Sequence, residues 1–403
     1  MKDKTQTITF CGVCIFLFCY FLHIFNMPNE LTVILGGILC LALVVQQKKL
    51  RIDLGICLLM LTLISYYVII NGISGMFYAI LYIPPIIYEL GNYMVNTIED
   101  KNDGDNELLV LIFIMVIAYT IHGILNSYMW YAGYVVPGTR RWQDFWSGEI
   151  VPGTQHVAFF LPALAMFFPS MICMKKRKSL NAWIILTAIF FGYTSLATKS
   201  RMSVLIFIIV FFMQISFVIL CEKNNVRKYL SNKKVWMIGL VILILVVGGV
   251  IAIKDSAVVV AFIENMSKGG GILNNVRFKA QRMALQQIFI YPMGGNLMDL
   301  GGISHSHNTW LDMANAAGVI PFLTFTGYTV YTLYELIYLL VQKDISTEIK
   351  IMLAGLYGAF FLYFSVEPAV EASIHLVTPW IFVNGTIHGR VRKNKAGKKY
   401  GRK

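Results

Sequence analysis

A chain of 403 residues of which 57% are apolar and only 14% are charged cannot cover itself as a water-soluble domain, because soluble proteins carry about 25% charged residues. With a mean hydropathy of +0.66, this composition excludes an ordinary cytosolic enzyme, a secreted disulfide scaffold and a disordered protein. The net charge of +13 would suggest nucleic-acid binding in a soluble chain, but here it indicates basic cytoplasmic loops and no nucleic-acid partner.

Apolar segments long enough to cross a bilayer, which takes about 20 residues, recur along the whole chain. They lie at residues 8–25, 31–46, 52–70, 73–95, 107–131, 155–174, 181–198, 202–221, 235–253, 309–342, 348–366 and 372–388. The sequence therefore predicts an all-α polytopic membrane protein, a single integral membrane domain over residues 1–403 with about 12 transmembrane helices. Pro84-Pro85 in the fourth segment and Pro321 in the over-long tenth predict kinks.

The distribution of Lys and Arg predicts the orientation of these segments. With the N-terminus inside, 25 of the 34 basic residues fall on the cytoplasmic side and 9 on the outer side. This asymmetry places both termini in the cytoplasm and makes the basic tail at residues 389–403 a determinant of topology.

Two outer segments are long in a protein whose other connections are short. The first is residues 133–154, and the second is residues 254–308, a large outer loop between the ninth and tenth segments. All outer basic residues lie in these loops or at the break 199–201. Because outer Lys and Arg are disfavoured, their clustering predicts an anionic ligand on the outer side, bound where long loops concentrate function.

Within the large loop, residues 274–290 predict an amphipathic helix. Its apolar stripe consists of Phe278, Leu285 and Phe289. Arg277 and Arg282 flank this stripe. We expect the helix to lie along the membrane surface with its arginines among phosphate groups.

At the end of the large loop, Thr309 and Asp312 have the spacing of a capping box that opens the tenth segment. His307 then lies just outside a helix N-terminus. Free N–H groups there favour an anion, and they favour the neutral imidazole, which can accept a proton.

The ordered motifs of this region are Arg277, Pro292-x-Gly294, His307-Asn308-x-x-Leu311 and Gly318-x-x-Pro321-Phe322, preceded by Arg140-Arg141-Trp142 to Gly148, Gly153-Thr154, Pro162 and Ser200-Arg201. In order, spacing and common side, this set resembles the O-antigen ligase and O-antigen polymerase superfamily. The chain departs from the commonest pattern at Pro321, where a glycine is frequent, and in its second histidine, His305.

The resemblance implies a glycosyltransferase at the outer face of the bacterial cytoplasmic membrane. Such an enzyme polymerises polyprenyl-pyrophosphate-linked oligosaccharide units into a surface polysaccharide such as O-antigen, capsule or exopolysaccharide. It uses no metal, nucleotide sugar or other cofactor, and its further partners are a chain-length regulator and a flippase of the same pathway. The alternatives are a ligase that moves finished glycan to a terminal acceptor, a flippase for the lipid-linked glycan, and a non-catalytic scaffold.

The chemistry of this reaction assigns roles to the basic residues. Pyrophosphate needs positive charge on its departing oxygens, and arginine supplies a permanent charge in a bidentate fork. We expect Arg277 and Arg201 on the pyrophosphate and His307 as the base for the acceptor hydroxyl, with inversion at the anomeric carbon. The residues expected to contribute to substrate binding are Arg140, Arg141, Arg282, His305 and Asn308.

Several of these assignments have simpler alternatives. Arg277 and Arg201 could instead be interface residues whose side chains reach the headgroups. His305 is either a helper of His307 or a loop residue, and the sequence does not choose between Arg140 and Arg141.

Other polar residues of the apolar segments are predicted to hydrogen-bond between helices. These are Glu89, His122, Asn126, Glu335 and His375. Glu367 and Glu371, on either side of Pro368 in a short outer turn, predict a solvated turn or a contact to a sugar hydroxyl. No Cys/His spacing typical of a metal site is present, so no metal ligand is predicted.

Overall fold

The computed structural model describes residues 4–97, 104–172, 178–197, 201–221, 276–342 and 345–399. The chain is 78% helical with almost no strands, which confirms the all-α class. The predicted ninth segment, most of the first half of the large loop and Ser200 lie outside these ranges, as does the side chain of Arg201.

Among the residues that the structure describes, five helices are long and apolar enough to cross a membrane. They cover Thr5–Leu22, Asn29–Gln47, Leu54–Asn71, Leu108–Tyr131 and Thr347–Phe364. Two shorter apolar helical stretches cover Asn181–Gly192 and Ser203–Ile219. By length and composition, these helices are those of a membrane protein.

The regular elements of the described residues follow in chain order. The helices are α1 Lys4–Leu22, α2 Asn29–Gln47, α3 Leu54–Asn71, α4 Ile83–Thr97, α5 Gly104–Tyr131, α6 Gly153–Ala158, α7 Leu161–Ala165, α8 Phe167–Ile172, α9 Lys178–Ala197, α10 Arg201–Cys221, α11 Val276–Gln287, α12 Thr309–Ala317, α13 Val319–Leu340, α14 Thr347–Phe364, α15 Ala369–Ala372 and α16 Thr378–Lys399. Between α5 and α6, strands β1 Arg141–Gln143 and β2 Ile150–Pro152 form an antiparallel hairpin.

The chain divides into two compact units. The first contains Met1–Ala118, Val276–Ile345 and Phe360–Lys403, and the second contains Tyr119–Asn275 and Ser346–Ala359. In the first unit, α16 packs on α4 and α13 packs on α3. Gly385 allows the first of these pairs to approach closely, because a Cβ there would collide with the Tyr88 carbonyl, as is common where membrane helices pack.

Buried polar groups link the helices of the first unit. His388 on α16 contacts Glu335 of α13 through Nδ1 at 2.7 Å and Asp53, the N-cap of α3, through Nε2 at 3.2 Å. His375, which precedes α16, lies 3.1 Å from the Tyr20 hydroxyl of α1. The predicted helix-to-helix role is therefore confirmed for Glu335 and His375.

The predicted fourth segment is not one kinked helix. Residues Ile73–Phe77 and Ala79–Tyr82 form 3-10 turns, and α4 begins only at Ile83. Pro84 and Pro85 thus lie in the first turn of α4, where a missing N–H leaves no hydrogen bond unmade. The two prolines start a helix here and do not bend one.

The tenth segment breaks at Gly318, not at Pro321. Gly318 has φ of +82° and separates α12 from α13, while Pro321 lies in the first turn of α13. The Val319 N–H donates to the Pro292 carbonyl at 2.9 Å, and a Cβ on Gly318 would collide with that carbonyl. The turn at Pro292–Gly294 therefore packs against the break at Gly318. This contact joins the motif Pro292-x-Gly294 to the motif that begins at Gly318.

Two further segments differ from the prediction. The sixth segment, residues 155–174, contains the short helices α6, α7 and α8 in place of one long helix. The twelfth begins late, at Thr378, and α16 continues to Lys399, so the start of the basic tail is helical.

Replacement of Gly318 by alanine tests the break between α12 and α13. We expect Gly318→Ala to destabilise the protein by more than about 1 kcal/mol, because alanine is strained at positive φ and its Cβ meets backbone atoms. The measurement is thermal unfolding of the detergent-solubilised protein.

Gly302→Ala is the matched control, since Gly302 has φ of +85° but nothing within 4 Å of its Cβ position. The control measures how much stability is lost through backbone strain at positive φ alone. An equal loss in both variants would contradict the close approach of Pro292.

Candidate functional site

Helix α11 presents a small-residue face to the interior of the first unit. Ala280 and Ala284 are fully buried, and with Ile288 they pack on Leu311 and Ala314 of α12. The predicted apolar stripe points elsewhere: its three members are exposed, by 42%, 57% and 76% from Phe278 to Phe289. The small alanine side chains permit this close approach of α11 to α12. The predicted stripe was defined by large apolar residues and therefore did not identify the buried side of the helix.

Arg277 lies on the side of α11 that faces residues 365–368, the turn before α15. This turn is called the outer turn because the sequence predicts it on the outer side. The Nη1 of Arg277 donates to Glu367 Oε1 at 2.9 Å and to the Val366 carbonyl at 3.0 Å. The arginine side chain is one third exposed, whereas the glutamate side chain is 7% exposed. Arg277 is therefore held by a buried carboxylate and still reaches the surface.

Glu367 is not part of a solvated turn, and that prediction is wrong. It is buried because the turn is held on α12 by Thr309, whose hydroxyl donates to the Glu367 carbonyl at 2.8 Å. The same hydroxyl accepts from the Ala369 N–H at 3.0 Å. The sequence feature that could have indicated a contact with Arg277 was an acidic residue next to Pro368, in a short turn predicted on the same side of the membrane as Arg277.

His307 faces the same carboxylate from the other side. Its Nδ1 lies 3.8 Å from Glu367 Oε2, beyond hydrogen-bond distance, and its side chain is 27% exposed. The His307 backbone has φ of +55°, and its carbonyl accepts from Gln281 Nε2 at 3.2 Å. Because Gln281 also donates to the Ser365 carbonyl, α11 contacts the loop and the outer turn through one side chain.

The start of α12 differs from the predicted capping box by one residue. The N-cap is Asn308, whose Oδ1 accepts from the Leu311 N–H at 3.2 Å, because the Thr309 hydroxyl is used by the outer turn. Asp312 reaches back and accepts from the N–H groups of Ser306 at 2.6 Å and Asn308 at 2.9 Å. His307 lies just outside the helix N-terminus, as the sequence indicates.

His305 contacts Glu371, the acidic residue of α15 that follows the outer turn. Its Nδ1 lies 2.8 Å from Glu371 Oε2. Burial, and then the nearby charge of Asp312, raise the pKa of Glu371 to about 8. The ligand atoms of His305, Asp312 and Glu371 all lie within 4.8 Å of one another, a grouping hidden from the sequence because Glu371 is distant from the other two along the chain.

In the second unit, the outer loop at residues 133–154 is held by its own aromatic and acidic side chains. Trp142 is fully buried, donates from Nε1 to the Asn126 carbonyl at 2.8 Å and stacks on His156 with ring centroids 4.2 Å apart. Asp144 Oδ2 lies 2.7 Å from His122 Nε2. His122 and Asn126 thus hold this loop, a contact beyond the predicted hydrogen bonds between helices.

Arg140 and Arg141 stand at the start of this hairpin, where both are exposed. Arg141 pairs with Pro152 in the β1–β2 register, and the Arg140 carbonyl accepts from the Gly153 N–H at 2.8 Å. The two arginines belong to the second unit.

Arg277, Arg282, His305, His307 and Asn308 belong to the first unit. The structure brings Arg277 and His307 onto one carboxylate and places Asn308 and His305 beside them. Arg282 is exposed on α11. Arg201 begins α10, and its side chain lies outside the described residues.

Comparison with known proteins identified no similar protein. No protein-family model matches the chain, and no curated protein matches it. The resemblance to the O-antigen superfamily therefore stays a prediction from the motifs.

The Asp144 carboxylate gives the second unit a pH-dependent contribution to stability. Burial acts to raise the pKa of Asp144, but the contact with His122 and hydrogen bonds from Ser147 and Asn126 together lower it well below its ordinary value of 3.8. A lowered pKa in the folded state stabilises the protein fully above about pH 4, and this contribution is lost as the pH falls below that value.

Replacement of Asp144 by asparagine tests this contribution. We expect Asp144→Asn to cost about 2 kcal/mol at pH 7, because it removes a buried carboxylate that accepts from Asn126 and Ser147 and charged acceptors make the stronger hydrogen bonds. We also expect the variant to lose less stability than the wild type between pH 5 and pH 3. Thermal unfolding across this range measures both effects, and Glu149→Gln, at an exposed carboxylate of the same loop, is the control that should behave as wild type.

Proposed function

We propose that the protein is a glycosyltransferase that polymerises polyprenyl-pyrophosphate-linked oligosaccharide units into a surface polysaccharide. The observation that carries the proposal is the convergence of Arg277 and His307 on the buried Glu367. The permanent positive charge of Arg277 suits the departure of pyrophosphate. The imidazole of His307 suits removal of a proton from the attacking hydroxyl. The order of the sequence motifs supports the same reaction.

The proposed protein spans the bacterial cytoplasmic membrane about 12 times, with both termini in the cytoplasm and the site facing outward. The unequal distribution of basic residues, 25 inside and 9 outside, supports this orientation. The five long apolar helices support the membrane location.

Helix α11 has the charge and surface needed at the membrane face. It contains three basic residues and no acidic residue. It exposes the apolar Phe278 and Leu285, and Phe289 is exposed just after its last residue. We propose that this apolar side enters the outer leaflet, as amphipathic helices do. Arg277 would then lie at the level of the headgroups, where the pyrophosphate of a polyprenyl lipid is located.

His307 is the proposed base. With a proton on Nδ1 facing Glu367, its Nε2 takes the proton of the acceptor hydroxyl, and the 3.8 Å separation shortens as the ring becomes charged. Catalytic hydrogen bonds are often long before substrate binds. Glu367 orients the ring and stabilises the imidazolium, as carboxylates do for other catalytic histidines.

The transfer step is a direct displacement at the anomeric carbon. The bond from the acceptor oxygen to this carbon forms while the bond to the pyrophosphate oxygen breaks, and the electron pair leaves with the pyrophosphate held by Arg277. The step inverts the anomeric configuration and uses no metal. By the sequence resemblance, Arg201, Arg140, Arg141 and Arg282 are further phosphate contacts, and His305 and Asn308 further substrate contacts.

Substitution of the two converging residues tests the reaction. We expect His307→Ala and Arg277→Ala each to lower polymerisation at least about 100-fold, the scale on which a general base contributes. The measurement in the native host is a gel of surface glycan and lipid-linked precursor, with the amount of protein in the membrane checked.

Lys279→Ala is the matched control, because it removes an exposed charge of the same sign from the same helix. Loss of long glycan with single repeat units retained supports a polymerase. Long glycan that accumulates on its lipid carrier identifies a ligase. An unchanged glycan profile in both site variants refutes the catalytic assignment and favours a flippase or a scaffold.

A further inference from the structure

Three side chains that commonly bind metal ions meet beside the proposed active site. His305 comes from the loop before α12, Asp312 from the first turn of α12, and Glu371 from the short helix α15. Their ligand atoms all lie within 4.8 Å of one another. None of the three was expected to bind a metal from the sequence.

The separations of these atoms suit a single cation. With bonds of about 2.1 Å, neighbouring octahedral ligands lie about 3.0 Å apart and opposite ligands about 4.2 Å apart. His305 Nδ1 and Glu371 Oε2 are separated by 2.8 Å, a distance between neighbouring ligands. A cation could therefore enter this group with small rotations of side chains and no change of the backbone.

The charge of the group also favours a cation. Asp312 is 1% exposed and the Glu371 side chain 14% exposed, so two carboxyl groups lie close together and away from water, where a bound cation would favour the ionised form of both. His305 ligates through its neutral imidazole. The His305 side chain is 44% exposed, which leaves an approach for the ion and for water ligands.

We propose that His305, Asp312 and Glu371 bind one divalent first-row transition cation, with water in the remaining positions. One imidazole and two carboxylates form a nitrogen and oxygen set that suits Mn²⁺ or Zn²⁺, and no thiolate is present to favour softer ions. The proposal does not rest on the proposed glycosyl transfer, because the cation binds the resting protein.

The cation clamps the outer turn to the loop before α12. Asp312 already fixes that loop by accepting from the N–H groups of Ser306 and Asn308, and Glu371 lies four residues after Glu367. A shared ion would hold the turn that carries Glu367 against the loop that carries His307. The role is structural, and no step of the transfer passes through the ion.

The test is a binding titration of the full chain in detergent after removal of metals with EDTA. Free Mn²⁺ is counted by electron paramagnetic resonance, and Zn²⁺ is then added as a competitor. We expect about one bound Mn²⁺ per chain, displaced by Zn²⁺, and a higher midpoint of thermal unfolding when Mn²⁺ is present.

Variants locate the binding site. Glu371→Gln and His305→Ala each remove a ligand without removing the backbone contacts of Asp312, and we expect each to weaken Mn²⁺ binding at least 10-fold and to abolish the thermal shift. Asp299→Asn changes an exposed carboxylate of the same outer loop and should bind as wild type. Unfolding without Mn²⁺ verifies that each variant is folded.

Absence of stoichiometric binding to the wild type, or equal binding by Glu371→Gln and His305→Ala, overturns the proposal and leaves His305 and Glu371 as an ion pair. Neither donor glycan nor acceptor is present in this titration. A chain that binds Mn²⁺ but does not polymerise glycan would thus refute the proposed function and leave the cation site in place.

Discussion

The arrangement of the candidate site in the first unit depends on the hydroxyl of Thr309. This group donates to the Glu367 carbonyl and accepts from the Ala369 N–H, and it is buried with both of its hydrogen-bonding capacities used. A short turn with one proline has little structure of its own, so these two bonds determine where its carboxylates lie. Glu367 and Glu371 consequently lie next to the start of α12, each facing a histidine of the preceding loop.

The N-terminus of α12 was expected to bind an anion, but side chains of the protein itself accept from N–H groups there. Asn308 accepts from the Leu311 N–H, and Asp312 accepts from those of Ser306 and Asn308. Donors that could have bound a ligand are therefore used to fold the loop, and a negative charge is added near the positive end of the helix. In the proposed site the positive charge for the anion would instead come from Arg277, whose guanidinium is held by Glu367.

Hydropathy was enough to predict the all-α class and most of the helix locations, because a membrane requires long apolar segments with internally satisfied backbone groups. The break at Gly318 was not visible, since it depends on a close approach of Pro292 and not on local propensity. Arg277 and His307 were found from charge and position. The burial of Glu367 and its contact with Arg277 were missed because they depend on Thr309, 58 residues away, and such long-range contacts leave no periodicity in a sequence.

Glu367 couples the two halves of the proposed reaction through its two oxygens. Oε1 accepts from Arg277 and Oε2 faces His307, so one buried carboxylate lies beside both the proposed cation for the leaving group and the proposed base for the nucleophile. In a site partly shielded from water such charges act strongly on one another. In the proposed transfer, Arg277 would move toward the pyrophosphate while His307 gains a proton. The carboxylate would then compensate the new imidazolium as its contact with the arginine weakens, and the total charge around Glu367 would stay nearly constant through the step.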